Sequence, residues 1–131
     1  MSINKTSCFT EPKQENNKNG FEVPKTIKLY RAVGVEEYLS IMKIGKFALR
    51  EGRDTVKYFG LDFEETLLFA NKAFNNSLVA VFEVEIKHTV LNKIGDFTNV
   101  DPFLFKKGTV EIQEEVLEDF NKAILKVCPI F

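Results

Sequence analysis

The stretch Leu78-Val79-Ala80-Val81-Phe82 is apolar at every position, and Phe82, Val84 and Ile86 then alternate with Glu83 and Glu85. A continuous apolar run describes a strand buried centrally in a sheet, and the alternating continuation describes the same strand leaving the core. The chain is therefore organised around a sheet with this strand near its middle.

The flanking segments alternate between strand and helix patterns. Ile27 to Val33 reads as a strand, followed by Val35, Tyr38, Leu39 and Met42 at helical spacing, which Gly45 terminates. A polar loop with Arg50, Gly52, Arg53 and Asp54 leads to a short strand ending at Phe59. Asp62, with Glu65 three positions on, is an N-cap for a helix that packs Phe63, Leu67, Ala70 and Phe74 on one face. After an irregular stretch with Gly95, Asp96, Asp101 and Pro102, and a short apolar element Phe103-Leu104-Phe105, Thr109 to Gln113 forms another strand. A last helix is expected over Glu114–Lys126, burying Val116, Leu117, Phe120 and Ile124, with acids in its first turn and lysines in its last. Strands interrupted by helices at irregular intervals, with no Gly-rich phosphate loop, favour an α+β fold over a doubly wound parallel sheet.

Residues 1–25 differ in character. Asn16-Asn17-Lys18-Asn19-Gly20 lies between Pro12 and Pro24, and such a segment buries too little apolar area to offset its ordering entropy. It reads as a flexible arm or linker, with one folded domain over 26–131, a size that suits a monomer. Thirteen phenylalanines and no tryptophan predict a core of Phe and β-branched side chains. A net charge of −1 argues against an electrostatic nucleic-acid binder. The start of the chain has no apolar stretch resembling a signal peptide, and no later run approaches the roughly twenty apolar residues of a membrane span. Cys8 and Cys128 are expected to be reduced thiols, with a disulfide between them as the alternative.

Recognised chemical motifs are few. No GxGxxG, Walker sequence or nucleophile elbow occurs. His88 is the single histidine, so no clustered Cys/His metal site is available, and it reads as a structural residue at a strand end. Arg31, one of three arginines, instead stands out, because it interrupts the apolar run Ile27-Lys28-Leu29-Tyr30-Arg31-Ala32-Val33. A half-buried guanidinium requires acceptors. They are either a structural carboxylate such as Glu83 or Glu85, or the anion of a ligand. Two more segments bear on that choice: the aromatic-glycine turn Lys57-Tyr58-Phe59-Gly60 and the acidic strand Gly108-Thr109-Val110-Glu111-Ile112-Gln113.

In order and spacing, Leu29–Val33, then Lys57-Tyr58-Phe59-Gly60-Leu61-Asp62-Phe63-Glu64-Glu65-Thr66 running into a helix with Phe69-Ala70, then Gly108–Gln113, resemble the ADP-ribosyltransferase-like toxin domains of bacterial polymorphic and secreted effectors. The resemblance covers residue 27 to the end. It implies a small split sheet, mixed or antiparallel, with flanking helices. It also implies a mono-ADP-ribosyltransferase that transfers ADP-ribose from NAD to a macromolecular acceptor, protein or nucleic acid, and releases nicotinamide without a metal. NAD glycohydrolase is the close variant. A cognate immunity protein, no membrane partner, and action in a target-cell cytoplasm after secretion or injection are further implications.

Carried onto this sequence, the resemblance implies that Arg31 holds NAD, that Tyr58 and Phe59 shape the nicotinamide pocket beside Gly60, and that Glu111 is the catalytic carboxylate. Arg53, with Arg50, lies in a loop that closes over a dinucleotide or is solvated surface charge. Cleaving the nicotinamide–ribose bond leaves an oxocarbenium-like cation that a carboxylate stabilises. At about 5 Å and an effective dielectric near 20 that attraction is roughly 3 kcal/mol, on the order of a hundredfold in rate. Glu115 is the alternative acid, since Gln113-Glu114-Glu115 fits the family spacing that Glu111-Ile112-Gln113 reverses. Each residue also has a structural reading: Tyr58 and Phe59 as core and rim of an edge strand, Glu111 as the solvent side of an alternating one. Two other functions stand beside the enzyme: a non-catalytic interaction module using the groove for a protein or peptide, and a ribonuclease-type toxin.

Overall fold

The structure, a computed structural model, describes residues 8–10, 25–49, 55–99 and 101–131. Most of the arm expected over 1–25, and the loop holding Arg50, Gly52, Arg53 and Asp54, lie outside the described residues.

The chain forms strand β1 (Phe9–Thr10), β2 (Thr26–Val33), helix α1 (Val35–Ile44), β3 (Val56–Gly60), α2 (Phe63–Ala73), β4 (Ala80–Lys87), α3 (His88–Ile94), β5 (Asp96–Thr98), β6 (Thr109–Gln113), a 3-10 turn (Glu114–Val116), α4 (Leu117–Ala123) and β7 (Ile124–Pro129). The strands make one sheet in the order β1-β7-β4-β2-β3-β6-β5, and every neighbouring pair is antiparallel. This is an α+β domain.

Side chains alternate across the strands, so each face of the sheet receives its own helices. Leu29, Val33, Phe82, Val84, Val110 and Ile112 pack on one face with Ile41 of α1, Leu91 of α3 and Phe120 of α4. The other face holds a smaller cluster in which Ala32 and Val81 meet Ala70, Phe63, Leu67 and Phe74 of α2 and its end. Phe47, Phe59, Phe82 and Phe120 belong to the first core, and the rings of Phe47, Phe59 and Phe120 are fully buried, with centroids 5.1, 5.0 and 6.2 Å apart. Burying each contributes about 1.5–3 kcal/mol. Asn121 of α4 fixes Phe47 by accepting from its N–H at 2.9 Å and donating to its carbonyl at 2.8 Å.

Local signals act as the sequence predicts at the end of α1 and at the start of α2. Gly45 closes α1 at φ 74°, where a Cβ would be strained, and the Asp62 side chain accepts from the Glu65 N–H at 3.1 Å to open α2.

Three expectations need correction. The last helix ends at Ala123, and Ile124–Pro129 is a strand paired with β4, with Lys126 opposite Glu85. Its apolar residues continue the helical spacing for one turn, but a partner edge on β4 takes them into the sheet. His88 directly follows strand β4, as expected, but the residues from it to Ile94, where no helix was expected, form α3. Finally, Cys8 and Cys128 are joined in a disulfide with Cα atoms 4.4 Å apart. Because β1 pairs Phe9 with Val127 and Thr10 with Lys126, the same register brings Cys8 opposite Cys128.

Candidate active site

The site forms where the sheet nearly divides. Every residue of β2 has a partner on β4, and β3 is paired along its length with β6, yet β2 and β3 share one pair only, Tyr30 opposite Gly60. Beyond that rung the two strands part. A continued register would bring Ala32 opposite Tyr58; in its place the Arg31 side chain enters the gap, and its Nη1 donates to the Tyr58 carbonyl at 2.9 Å. A backbone acceptor left unpaired by the split is thereby satisfied.

Arg31 is the central cation of this gap. Its Nε and Nη2 donate to Oε2 and Oε1 of Glu37, in the first turn of α1, at 2.6 and 3.0 Å. Its Cζ lies 5.9 Å from the centroid of the Phe59 ring, a cation–π contact. The structural acids considered from sequence are engaged elsewhere: Glu83 accepts from the Tyr30 hydroxyl at 3.0 Å and Glu85 from the Thr26 hydroxyl at 2.9 Å. The Lys57 ammonium, almost wholly buried, lies 3.2 Å from Glu37 Oε2. Burial by itself would raise the Glu37 pKa, but the hydrogen bonds and charges of Arg31 and Lys57 outweigh it and hold this carboxyl below the usual glutamate value.

Two cavities meet at Arg31. The first, about 270 Å³, lies between the split sheet and α2 and is walled by Tyr58, Phe59, Gly60, Thr66, Phe69 and Phe105. The Phe69 and Phe105 rings are 5.2 Å apart there. Gly60 keeps the space open, because a Cβ at that position would run into Thr66 Oγ1 and stand 3.0 Å from the Phe105 ring. The second cavity, about 630 Å³, opens towards α1 and is lined by Glu37, Ser40, Leu49 and Lys57 among others. Arg31 and Phe74 border both.

The loop before β6 carries Phe105 into the first cavity, and it is tied down at α2. Lys107 Nζ donates to Asp62 Oδ1 at 2.9 Å and the Lys107 N–H to Glu65 Oε1 at 3.1 Å. The Lys107 hydrogen bond, with that of the Glu65 N–H, holds the Asp62 carboxyl below its ordinary pKa. Gly108, at φ 93°, then turns the chain into β6. On the opposite wall, burial and the hydrogen bond to Glu83 push the Tyr30 hydroxyl up to about 12, so it remains a donor.

Arg31, Tyr58, Phe59 and Gly60 thus border one cavity. Glu111 stands apart from that lining. It faces Tyr58 across the β3–β6 pair and shares its side of the sheet, while its Oε1 accepts from Gln113 Nε2 at 3.0 Å. Arg31 leaves β2 on the other side, with Leu29 and Val33, and only its fork reaches the gap. Glu115, the alternative acid, is exposed in the 3-10 turn. Arg53 and Arg50 lie outside the described residues. Sequence reasoning did not assign Glu37, Lys57, Thr66, Phe69 or Phe105 to the site. The available signals were an acid in the first helical turn after Arg31, a lysine on the buried parity of β3, and aromatics flanking the glycine turn. Comparison with known protein families, with curated proteins and with solved structures gave no match.

Proposed function

We propose that the chain is an NAD-consuming mono-ADP-ribosyltransferase domain. The observation that carries this reading is the split between β2 and β3, where an aromatic-walled cavity and a larger one adjoin at a single guanidinium. Ligand sites are typically apolar clefts of roughly 300–1,000 Å³ with a few convergent polar groups. The smaller, aromatic chamber suits a flat nicotinamide ring between Tyr58 and Phe69, and the larger one, where Arg31, Ser40 and Lys57 stand among apolar side chains, suits the remainder of a dinucleotide.

In the reaction the bond between the nicotinamide nitrogen and the ribose carbon breaks, and its electron pair goes to the ring, neutralising the pyridinium. Positive charge develops on the ribose. Glu111, beside Tyr58, is the carboxylate that stabilises it, and Arg31 binds the anionic diphosphate through its remaining donors. The acceptor's nucleophile then bonds to the ribose carbon and gives up its proton. With water as acceptor the same steps make an NAD glycohydrolase. The reading extends to a toxin domain of a bacterial effector, with a macromolecular acceptor and a cognate immunity protein.

The test is release of nicotinamide from NAD by the purified chain, with and without cell lysate, alongside the melting temperature. Nicotinamide release with labelled ADP-ribose on a macromolecule supports the transferase; free ADP-ribose as the product supports the glycohydrolase. No release under either condition, together with no rise in melting temperature at saturating NAD, eliminates both and leaves an interaction module.

A further inference from the structure

Glu37 meets the Arg31 guanidinium along the edge formed by Nε and Nη2, at 2.6 and 3.0 Å, and Tyr58 O takes a hydrogen from Nη1 at 2.9 Å. A guanidinium has five N–H donors. These three acceptors occupy one hydrogen on each nitrogen, which leaves one on Nη1 and one on Nη2, at the border of the two cavities. Glu37 is itself held from a second side, because its Oε2 also faces the buried Lys57 ammonium at 3.2 Å.

The local sequence explains why this carboxylate is available. Glu37 is the third residue of α1, where a glutamate often reaches back to the N-cap backbone. The N-cap here is Gly34, with no side-chain capping bond, and Glu37 turns to Arg31 instead.

We propose that Glu37, anchored by Lys57, is a positioning residue that aims the free donors of Arg31 at the diphosphate of the dinucleotide. The inference rests on the NAD reading above. Arg31 has long rotatable bonds, and a bidentate partner removes that freedom before the ligand arrives, so binding does not have to supply the ordering. The Lys57 contact gives Glu37 one orientation, which a surface carboxylate would lack.

The experiment compares Glu37→Gln and Glu37→Asp with the unaltered chain in steady-state NAD cleavage, with folding checked by circular dichroism. Glu37→Gln is expected to raise KM for NAD about tenfold while kcat stays within about threefold, the signature of lost uniform binding. Nicotinamide alone, which does not reach the diphosphate position, keeps its inhibition constant. Glu37→Asp recovers part of the KM and carries the test if the Gln variant fails to fold. An unchanged KM in folded Glu37 variants of an active chain overturns the positioning role and leaves the NAD reading standing. So does a loss confined to kcat. An unaltered chain that neither binds nor cleaves NAD overturns both.

Discussion

Tyr58 and Glu111 are direct cross-strand partners on β3 and β6, on the side of the sheet that carries α2. Directly opposed residues hold their Cβ atoms about 4.5–5.5 Å apart, so the ring and the carboxylate are placed by backbone pairing rather than by flexible loops. Glu111→Gln keeps the shape and removes the charge. It is expected to lower kcat for nicotinamide release about a hundredfold, the size of the roughly 3 kcal/mol attraction a carboxylate offers an oxocarbenium. The melting temperature should stay unchanged, and a variant with full activity would remove Glu111 from the mechanism.

Gly60→Ala places a methyl group against Thr66 Oγ1 and the Phe105 ring in the first cavity. Overpacking of this kind costs about 1–3 kcal/mol. Urea unfolding should register that loss, and NAD should raise the melting temperature of this variant less than that of the unaltered chain.

Reduction of the disulfide tests how far the two ends of the chain stabilise the domain. The bridge closes a sequence separation of 120 residues, and cross-links over loops of about that length contribute roughly 4–5 kcal/mol. Adding dithiothreitol, or making Cys8→Ser with Cys128→Ser, should lower the urea midpoint substantially. A midpoint that does not move would show that the termini dock without covalent help.

Stability should also depend on Glu37 as the solution is acidified. The folded state holds this carboxyl below its ordinary value, so its contribution is complete above the unfolded glutamate value and is lost as pH falls through the folded one. The difference in unfolding free energy between the unaltered chain and Glu37→Gln is therefore expected to shrink between pH 7 and pH 3. A difference independent of pH would mean that the contact contributes no charge-dependent stability.

Two phenylalanines offer a contrast in packing. Phe120 is fully buried between Phe47 and Phe59, whereas Phe103 is 89% exposed. Phe120→Ala should cost about 3–5 kcal/mol and Phe103→Ala no more than about 0.5 kcal/mol, both measured by chemical denaturation.

What the sequence reveals follows the range over which each signal operates. The buried strand at Ala80–Lys87, the Asp62 cap and the Gly45 stop are local patterns, and each appears where its residues predict. The strand Ile124–Pro129 was hidden because its first residue also completes a helical stripe, and only the free edge of β4 decides between the two. The disulfide depended on a register between residues at opposite ends of the chain. Arg31 was visible as a cation needing an acceptor, but its partner could not be chosen from composition. Glu83 and Glu85 are strand acids like many others, and the selection of Glu37 came from the way α1 folds back over the gap.

The lone Tyr30–Gly60 rung has a mechanical implication. It is the one backbone pair between two leaves, one of β1, β7, β4 and β2 and the other of β3, β6 and β5, like a single stitch between two panels of cloth whose common backing is the core of Leu29, Val33, Val110 and Ile112. A molecule lodged in the seam and gripped from both panels would act as the missing stitches, so occupancy should be felt as stiffness: slower amide exchange along the facing edges of β2 and β3, and a domain that yields to force as one body instead of two.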